Sequence, residues 1–209
     1  NLSMTGSSNT IAGATTFNNT GTLTLGDGSD TLNFTGGVLA TAPSSVALNG
    51  NVTAADTGVI TLGGVNVQGN STVGGTSTGQ ITLGNALLAD GATLTVGAGA
   101  ATPISLAAVT GTVGAGTTGL TINTLGATTV SGAVGTGIDA LTITNSGGTT
   151  FQSTVNATDI TIANGAVGTT VAFQDNITAT TLTANAGTAA YNLSMTGSSN
   201  TIAGATTFN

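Results

Sequence analysis

The stretch that decides the fold runs from Leu120 to Asn156 and reads LTINTLGATTVSGAVGTGIDALTITNSGGTTFQSTVN. It contains two triplets in which aliphatic residues flank a threonine, Leu120–Ile122 and Leu141–Ile143. An alternation with period two is typical of a β-strand that buries one face. Between the triplets lie Gly, Ala, Ser and Asn, which favour turns. The stretch therefore predicts short strands separated by turns.

Similar triplets occur along the rest of the chain. They are Leu23-Thr24-Leu25, Leu32-Asn33-Phe34, Ile81-Thr82-Leu83, Leu94-Thr95-Val96, Ile104-Ser105-Leu106, Ile160-Thr161-Ile162 and Val171-Ala172-Phe173. No segment has a sustained helical period, and the high Gly and Thr content disfavours helix. The sequence predicts an all-β fold.

The spacing of the triplets indicates how the strands are arranged. Leu120, Leu141, Ile160 and Leu182 each begin a triplet and follow one another at nearly equal intervals. These intervals predict a parallel β-helix, or β-solenoid, with coils of about 19–22 residues. Recurring local patterns predict a second strand in each coil at Thr128–Val130, Thr149–Phe151 and Thr169–Val171.

The composition also favours a solenoid. Stacked coils leave a narrow core that Leu, Ile, Val and Ala fill without aromatic residues, and aromatics make up only 3% of the chain. Outward Thr and Asn can stack in columns, whereas stacked like charges repel one another. The alternative is a tandem array of β-sandwiches of about 100 residues each, which usually carry a buried Trp or Tyr.

The opening segment Asn1–Asn18, NLSMTGSSNTIAGATTFN, recurs unchanged as the closing segment Asn192–Asn209. We call these two copies the repeated segment. The chain is thus one sequence period, 1–191, followed by the start of the next, 192–209. An identity of this length indicates recent tandem duplication, and we expect 1–209 to form one continuous stretch of a longer array. Repeat arrays bury their apolar faces against neighbouring units.

The absence of whole residue types excludes several classes of function. The chain has no Lys, Arg, His, Cys or Trp, and its seven acidic residues are all Asp. Without cations it lacks the groups that neutralise phosphates in nucleic-acid binding. No apolar run is long enough to form a spanning helix, so we expect no membrane insertion. Without His or Lys no hydroxyl has a general base beside it, so we expect no enzyme activity.

One stretch resembles a metal-binding motif. Gly26-Asp27-Gly28-Ser29-Asp30-Thr31-Leu32 is similar to one copy of the calcium-binding nonapeptide of RTX proteins, with Leu25 in place of the first Gly. In that family calcium lies between two successive turns, so a single copy supplies half a site. The resemblance implies that Asp27 and Asp30 bind calcium; the alternative is a turn without a ligand.

Thr-x-Thr patterns allow a further alternative. Thr22-Leu23-Thr24 and Thr142-Ile143-Thr144 are similar to the repeats of ice-binding solenoids, in which threonine columns match an ice lattice. Thr alternating with an aliphatic residue is also the ordinary pattern of a half-buried strand.

The repeats LTINTLGATTVSGAVG and LTITNSGGTTFQSTVN resemble the repeat regions of bacterial large exoproteins of the filamentous haemagglutinin and autotransporter-adhesin type. The resemblance is one of pattern and composition across most of the chain, and no ligand residues transfer with it. It implies a parallel β-helix exported to the bacterial cell surface, forming the shaft of a fibre that acts in adhesion, aggregation or biofilm. Its partners would be neighbouring repeats and other copies of the same protein. The alternative function is a surface-layer or sheath component bridged by calcium.

Overall fold

The computed structural model describes residues 1–209 and contains 25 β-strands and no helix. Every strand pair is parallel. Parallel neighbours come from successive turns of the chain, which is the arrangement of a β-solenoid. This confirms the predicted fold and excludes a β-sandwich array, whose sheets are antiparallel.

The strands are short and follow one another along nine coils, with a tenth coil beginning at the C-terminal end. In the first four coils they are β1 (Leu2–Met4), β2 (Ser8–Ile11), β3 (Thr15–Thr16), β4 (Leu23–Phe34), β5 (Gly37–Ala40), β6 (Val46–Ala54), β7 (Val59–Leu62), β8 (Val65–Val67), β9 (Ser71–Gly75) and β10 (Ile81–Leu83). In the next three they are β11 (Ala86–Leu88), β12 (Thr93–Val96), β13 (Ile104–Leu106), β14 (Val109–Gly111), β15 (Gly119–Thr124), β16 (Thr128–Val130), β17 (Val134–Gly135), β18 (Ala140–Ser146) and β19 (Thr149–Phe151). The last are β20 (Val155–Ile162), β21 (Thr170–Phe173), β22 (Ile177–Ala184), β23 (Asn192–Met195), β24 (Thr201–Ile202) and β25 (Thr206–Phe208).

Each coil has three sides. Side one contains β1, β8, β11, β14, β17 and β24, side two contains β2, β9, β12, β15, β18 and β25, and the long strands β4, β6, β20 and β22 run across both. These sixteen strands form one sheet. Side three contains β3, β5, β7, β10, β13, β16, β19, β21 and β23, which form a second sheet of nine strands.

The core consists of columns of apolar side chains that stack from coil to coil. On side two one column contains Leu32, Val52, Val73, Val96, Ile122, Ile143, Ile162 and Ala184. These residues belong to a single cluster of 43 buried residues. Phe151 and Phe173, on successive coils of side three, stack with ring centroids 4.8 Å apart and planes 4° apart. Burial of each large aliphatic side chain contributes about 1.5–3 kcal/mol, so the narrow core needs few aromatic residues.

An asparagine ladder runs along the corner between sides two and three. Asn145 donates a side-chain hydrogen bond to Asn123 one coil below at 2.8 Å, and Asn164 donates to Asn145 at 3.0 Å. Asn164 in turn accepts the backbone N–H of Thr188 at 2.9 Å. Identical amides satisfy one another because the coils repeat at a constant spacing, as expected for stacked polar residues.

A second ladder, of buried hydroxyls, lies inside the same corner. Ser77, Thr102, Thr124 and Ser146 are all at most 4% exposed, although they are polar. Ser77 donates to the carbonyl of Gly58 one coil below at 2.7 Å, and Thr124 donates to that of Thr102. Hydroxyls of the ladder also accept an N–H two residues further on, as Thr124 does from Gly126 at 2.9 Å. The ladder thus satisfies backbone groups that the chain's change of direction would leave unpaired.

Two sequence-based details require correction. The coil length varies more than predicted. Leu94 and Leu120 pair on successive coils, and the coil between them is longer than the predicted range of about 19–22 residues. The extra residues lie in the corners, where they leave the strand pairing intact. The predicted strand Thr169–Val171 is out of register by two residues, since Val171 pairs with Thr149, and each coil contains a third side that was not predicted.

The two copies of the repeated segment lie on different sides of the solenoid. Leu2–Met4 lies on side one, where it pairs with Leu23–Leu25, whereas its copy Leu193–Met195 lies on side three and pairs with Val171–Phe173. The same shift by one side applies to the other strands of the segment. The three sides of the coil can therefore accept the same sequence.

Candidate functional site

The acidic residues are dispersed over the solenoid, apart from one pair. Asp90 accepts the N–H of Gly116 at 2.9 Å, Asp139 accepts that of Thr118 at 2.8 Å, and Asp175 accepts that of Asn176 at 2.7 Å. Asp56 has a left-handed backbone with φ of 53°, and Asp159 accepts a hydrogen bond from the hydroxyl of Thr181. These roles are those of turn and surface residues.

Asp27 and Asp30 are the exception, because the chain folds them together in one loop. Leu25 pairs with Leu48 and Asp30 with Gly50, so residues 26–29 bulge out of β4 beside the shorter segment of β6. Gly26 permits this bulge: its φ is +81°, and a Cβ there would lie 2.3 Å from the carbonyl oxygen of Asn49.

The side chain of Asp30 closes this loop. It is only 6% exposed, and its Oδ2 accepts the backbone N–H of Asp27 at 3.0 Å. The carboxyl of Asp30 raises the pKa of Asp27 above its ordinary value, mainly through a hydrogen bond between the side chains and also through charge repulsion. A cation bound by both residues would relieve that repulsion.

The loop alone supplies fewer ligands than calcium usually takes. Two carboxylates offer at most four oxygens, one of them already bonded to an N–H, whereas calcium takes about six to eight. No group of three or more acidic, His or Cys side chains is assembled anywhere in the chain. The geometry therefore brings together the two predicted residues, and calcium binding stays a prediction.

If Asp27 and Asp30 bind calcium, millimolar calcium, the range in which extracellular modules bind it, is expected to raise the Tm of the wild-type chain. EDTA should reverse this rise. Asp27→Asn should abolish the effect because it removes an exposed ligand but leaves the Asp30 hydrogen bond. Asp90→Asn is the matched control, since Asp90 lies far along the chain from the loop, and it should retain the effect. Thermal melting by circular dichroism measures both. A wild-type Tm that does not change with calcium or EDTA would exclude the site.

A column of polar residues, all but one of them Ser or Thr, follows the outside of side two from end to end. In chain order the column contains Ser8, Thr31, Asn51, Thr72, Thr95, Thr121, Thr142, Thr161, Thr183 and Thr207. The neighbouring outward column is mixed, with Thr93, Gly119, Ala140, Asp159 and Thr181. Two adjacent threonine columns, which ice binding would use, do not form, and we do not propose that function.

The surface has only shallow hollows. The largest, about 480 Å³ in volume, lies mainly on side one beside Asn66, Leu87 and Thr110, and its lining contains no ionisable side chain. No helix is present that is long and apolar enough to cross a membrane. Comparison with protein-family models, curated proteins and solved structures gives no significant match.

Proposed function

We propose that this chain is part of the shaft of a long fibre secreted to the bacterial cell surface, where the fibre acts in adhesion, aggregation or biofilm. The observation that carries the proposal is the continuity of the stacked columns from one end of the chain to the other. At the C-terminal end, residues 192–209 add another coil of the same kind, and Leu193 and Met195 continue the columns of Val171 and Phe173. The repeated segment extends the rod.

The surface chemistry suits a long shaft. Each coil stacks about 4.8 Å from the next, so an ionic residue repeated at one position would repel its copies along the whole rod. The outward columns contain mainly Thr, Ser and Asn instead, and the net charge is −7 over 209 residues. The chain has no Lys or Arg, so trypsin has no cleavage site in it. The assignment to the bacterial cell surface rests on the resemblance to large exoproteins.

The length of the particle tests the proposal. Chains of one, two and three blocks, each block being 1–191 and the last followed by 192–209, are expected to form rods of constant width that lengthen by about 42 Å per block at the strand spacing of parallel sheets. Small-angle scattering and negative-stain microscopy measure this increment. Compact particles whose width grows with block number would contradict the shaft.

The same microscopy separates the alternative function. A surface-layer or sheath component bridged by calcium should form flat arrays when calcium is added and disperse in EDTA, and Asp27→Asn should prevent the arrays. Isolated thin filaments under both conditions favour the shaft.

A further inference from the structure

The block 1–191 does not contain a whole number of coils. From Leu2 to Ile177 side one recurs eight times, and from Ile177 to Leu193 the chain passes two more sides. The copy of each residue therefore lies eight and two-thirds coils further along the axis, which places it one side away.

The two copies have a similar internal structure despite this displacement. Asn9 donates its side-chain N–H to the carbonyl of Gly6, and the equivalent Asn200 donates to that of Gly197. Three strands form at matching positions in both copies. The segment thus folds in a similar way whichever side it begins on.

We propose that successive blocks stack end to end with a rotation of one third of a turn, so that every surface feature returns to the same side only after three blocks. The inference rests on the proposed function, in which the block is repeated along a shaft. The surface concerned is the C-terminal open end of the solenoid, and its occupant is the next copy of this block.

The side chains at this end fit a rotated copy. On side three the inward Met195 lies next to Phe173. Met195 is the copy of Met4, which pairs with Leu25. In a longer chain the following block's copy of Leu25 would therefore lie next to Met195 on its open side. These side chains are all apolar.

Side two fits in the same way. Phe208 lies next to Ala184, and it is 60% exposed at the open end. Its counterpart Phe17 is half-buried at the other end, where its ring meets that of Phe34 edge-on with the ring centroids 6.0 Å apart. The following copy would cover Phe208 with the same neighbours that Phe17 has. The apolar columns therefore continue through a rotation that changes the side of every residue.

Disulfide trapping in a two-block chain tests the rotation, and the absence of native cysteines leaves only the engineered pairs. Ala172 and Ser194 are paired neighbours on side three, and Thr178 and Thr201 on side one. The Cα spacing between parallel neighbours is about 4.8 Å, which suits a disulfide. We expect A172C/S194C and T178C/T201C to cross-link nearly completely on mild oxidation.

The pair T178C/S194C distinguishes the alternative. If the segment kept side one in every block, Ser194 would lie above Thr178 as Ser3 lies below Thr24, and this pair would cross-link instead. Efficient T178C/S194C bonding, or no bonding by either expected pair in a chain that melts like wild type when reduced, would overturn the rotation. Particle length is measured on the same chains. If the particle lengthens by about 42 Å per block but T178C/S194C is the pair that cross-links, only the rotation is rejected. If the particle does not lengthen with added blocks, the shaft is rejected.

Discussion

Replacing Leu141 by aspartate is expected to unfold the middle of the solenoid. Leu141 is fully buried on side two, between Leu120 on the preceding coil and Ile160 on the next. A carboxylate there would have no cationic side chain to pair with, because the chain contains no Lys, Arg or His. Burying an unpaired charge costs several kcal/mol, so we expect a loss of about 4 kcal/mol or more in the free energy of unfolding.

The adjacent residue provides the matched control for this substitution. Thr142→Asp introduces the same side chain on the same strand but in the outward column, where it contacts solvent. We expect a change of at most about 0.5 kcal/mol, measured for both variants by denaturant unfolding followed by circular dichroism. Equal stability of the two variants would show that the Leu141 side chain does not point into the core as described.

Gly97→Val is expected to have the second largest effect. Gly97 follows β12 at the corner after side two, with φ of +87°, and an added Cβ would lie 2.2 Å from the carbonyl oxygen of Asn123. That oxygen belongs to the backbone of the next coil and cannot move away without breaking the strand pairing. Strain at this φ alone costs about 1–3 kcal/mol, and the clash adds to it.

Gly28→Val is the control for this variant. Gly28 has no atom within 4 Å of its added Cβ and no left-handed φ, so its replacement should leave the Tm within about 2 °C of wild type. Thermal melting compares the two. A Gly97→Val chain with the wild-type Tm would mean that the corner backbone is displaced from the position described.

The aliphatic triplets were sufficient to predict the solenoid. Leu120, Leu141 and Ile160 do stack in one column, and their spacing equals the coil length at that point. Period-two alternation has this predictive value because parallel coils keep the inward position constant from turn to turn. The triplet Leu23–Leu25 lies on side one, but the sequence does not indicate a third strand in every coil, because most side-one strands are short and include small residues, as in Val134–Gly135.

The error at Thr169 also has a physical cause. Thr128 and Thr149 are buried and begin their strands at inward positions, so a Thr-Thr pair at Thr169 predicts another strand start there. On the next coil that inward position is occupied by Val171, two residues after Thr169. A buried threonine and an aliphatic residue of similar shape can thus occupy the same column, and letter matching alone cannot align them.

The candidate site was only partly predictable. The proximity of Asp27 and Asp30 follows from their spacing in a glycine-rich turn, but the burial of Asp30 depends on the bulge beside Gly50. The hydroxyl ladder was not predicted at all. A Ser/Thr-x-Gly pattern, present at Ser77, Thr124 and Ser146, is the signal that would have indicated it, since each of these hydroxyls accepts the N–H of the glycine.

The interchangeable sides also bear on how such a gene can change length. Unequal recombination between two copies of the repeated segment removes or adds the codons of one whole block, and the protein then loses or gains eight and two-thirds coils. In a solenoid with distinct sides, such an event would join mismatched faces and expose a seam. Here Leu2–Met4 and Leu193–Met195 already occupy different sides and pair with the neighbouring coil on each, so the joined coils continue the strand pairing and the apolar columns. Chains made with different numbers of blocks should therefore all fold.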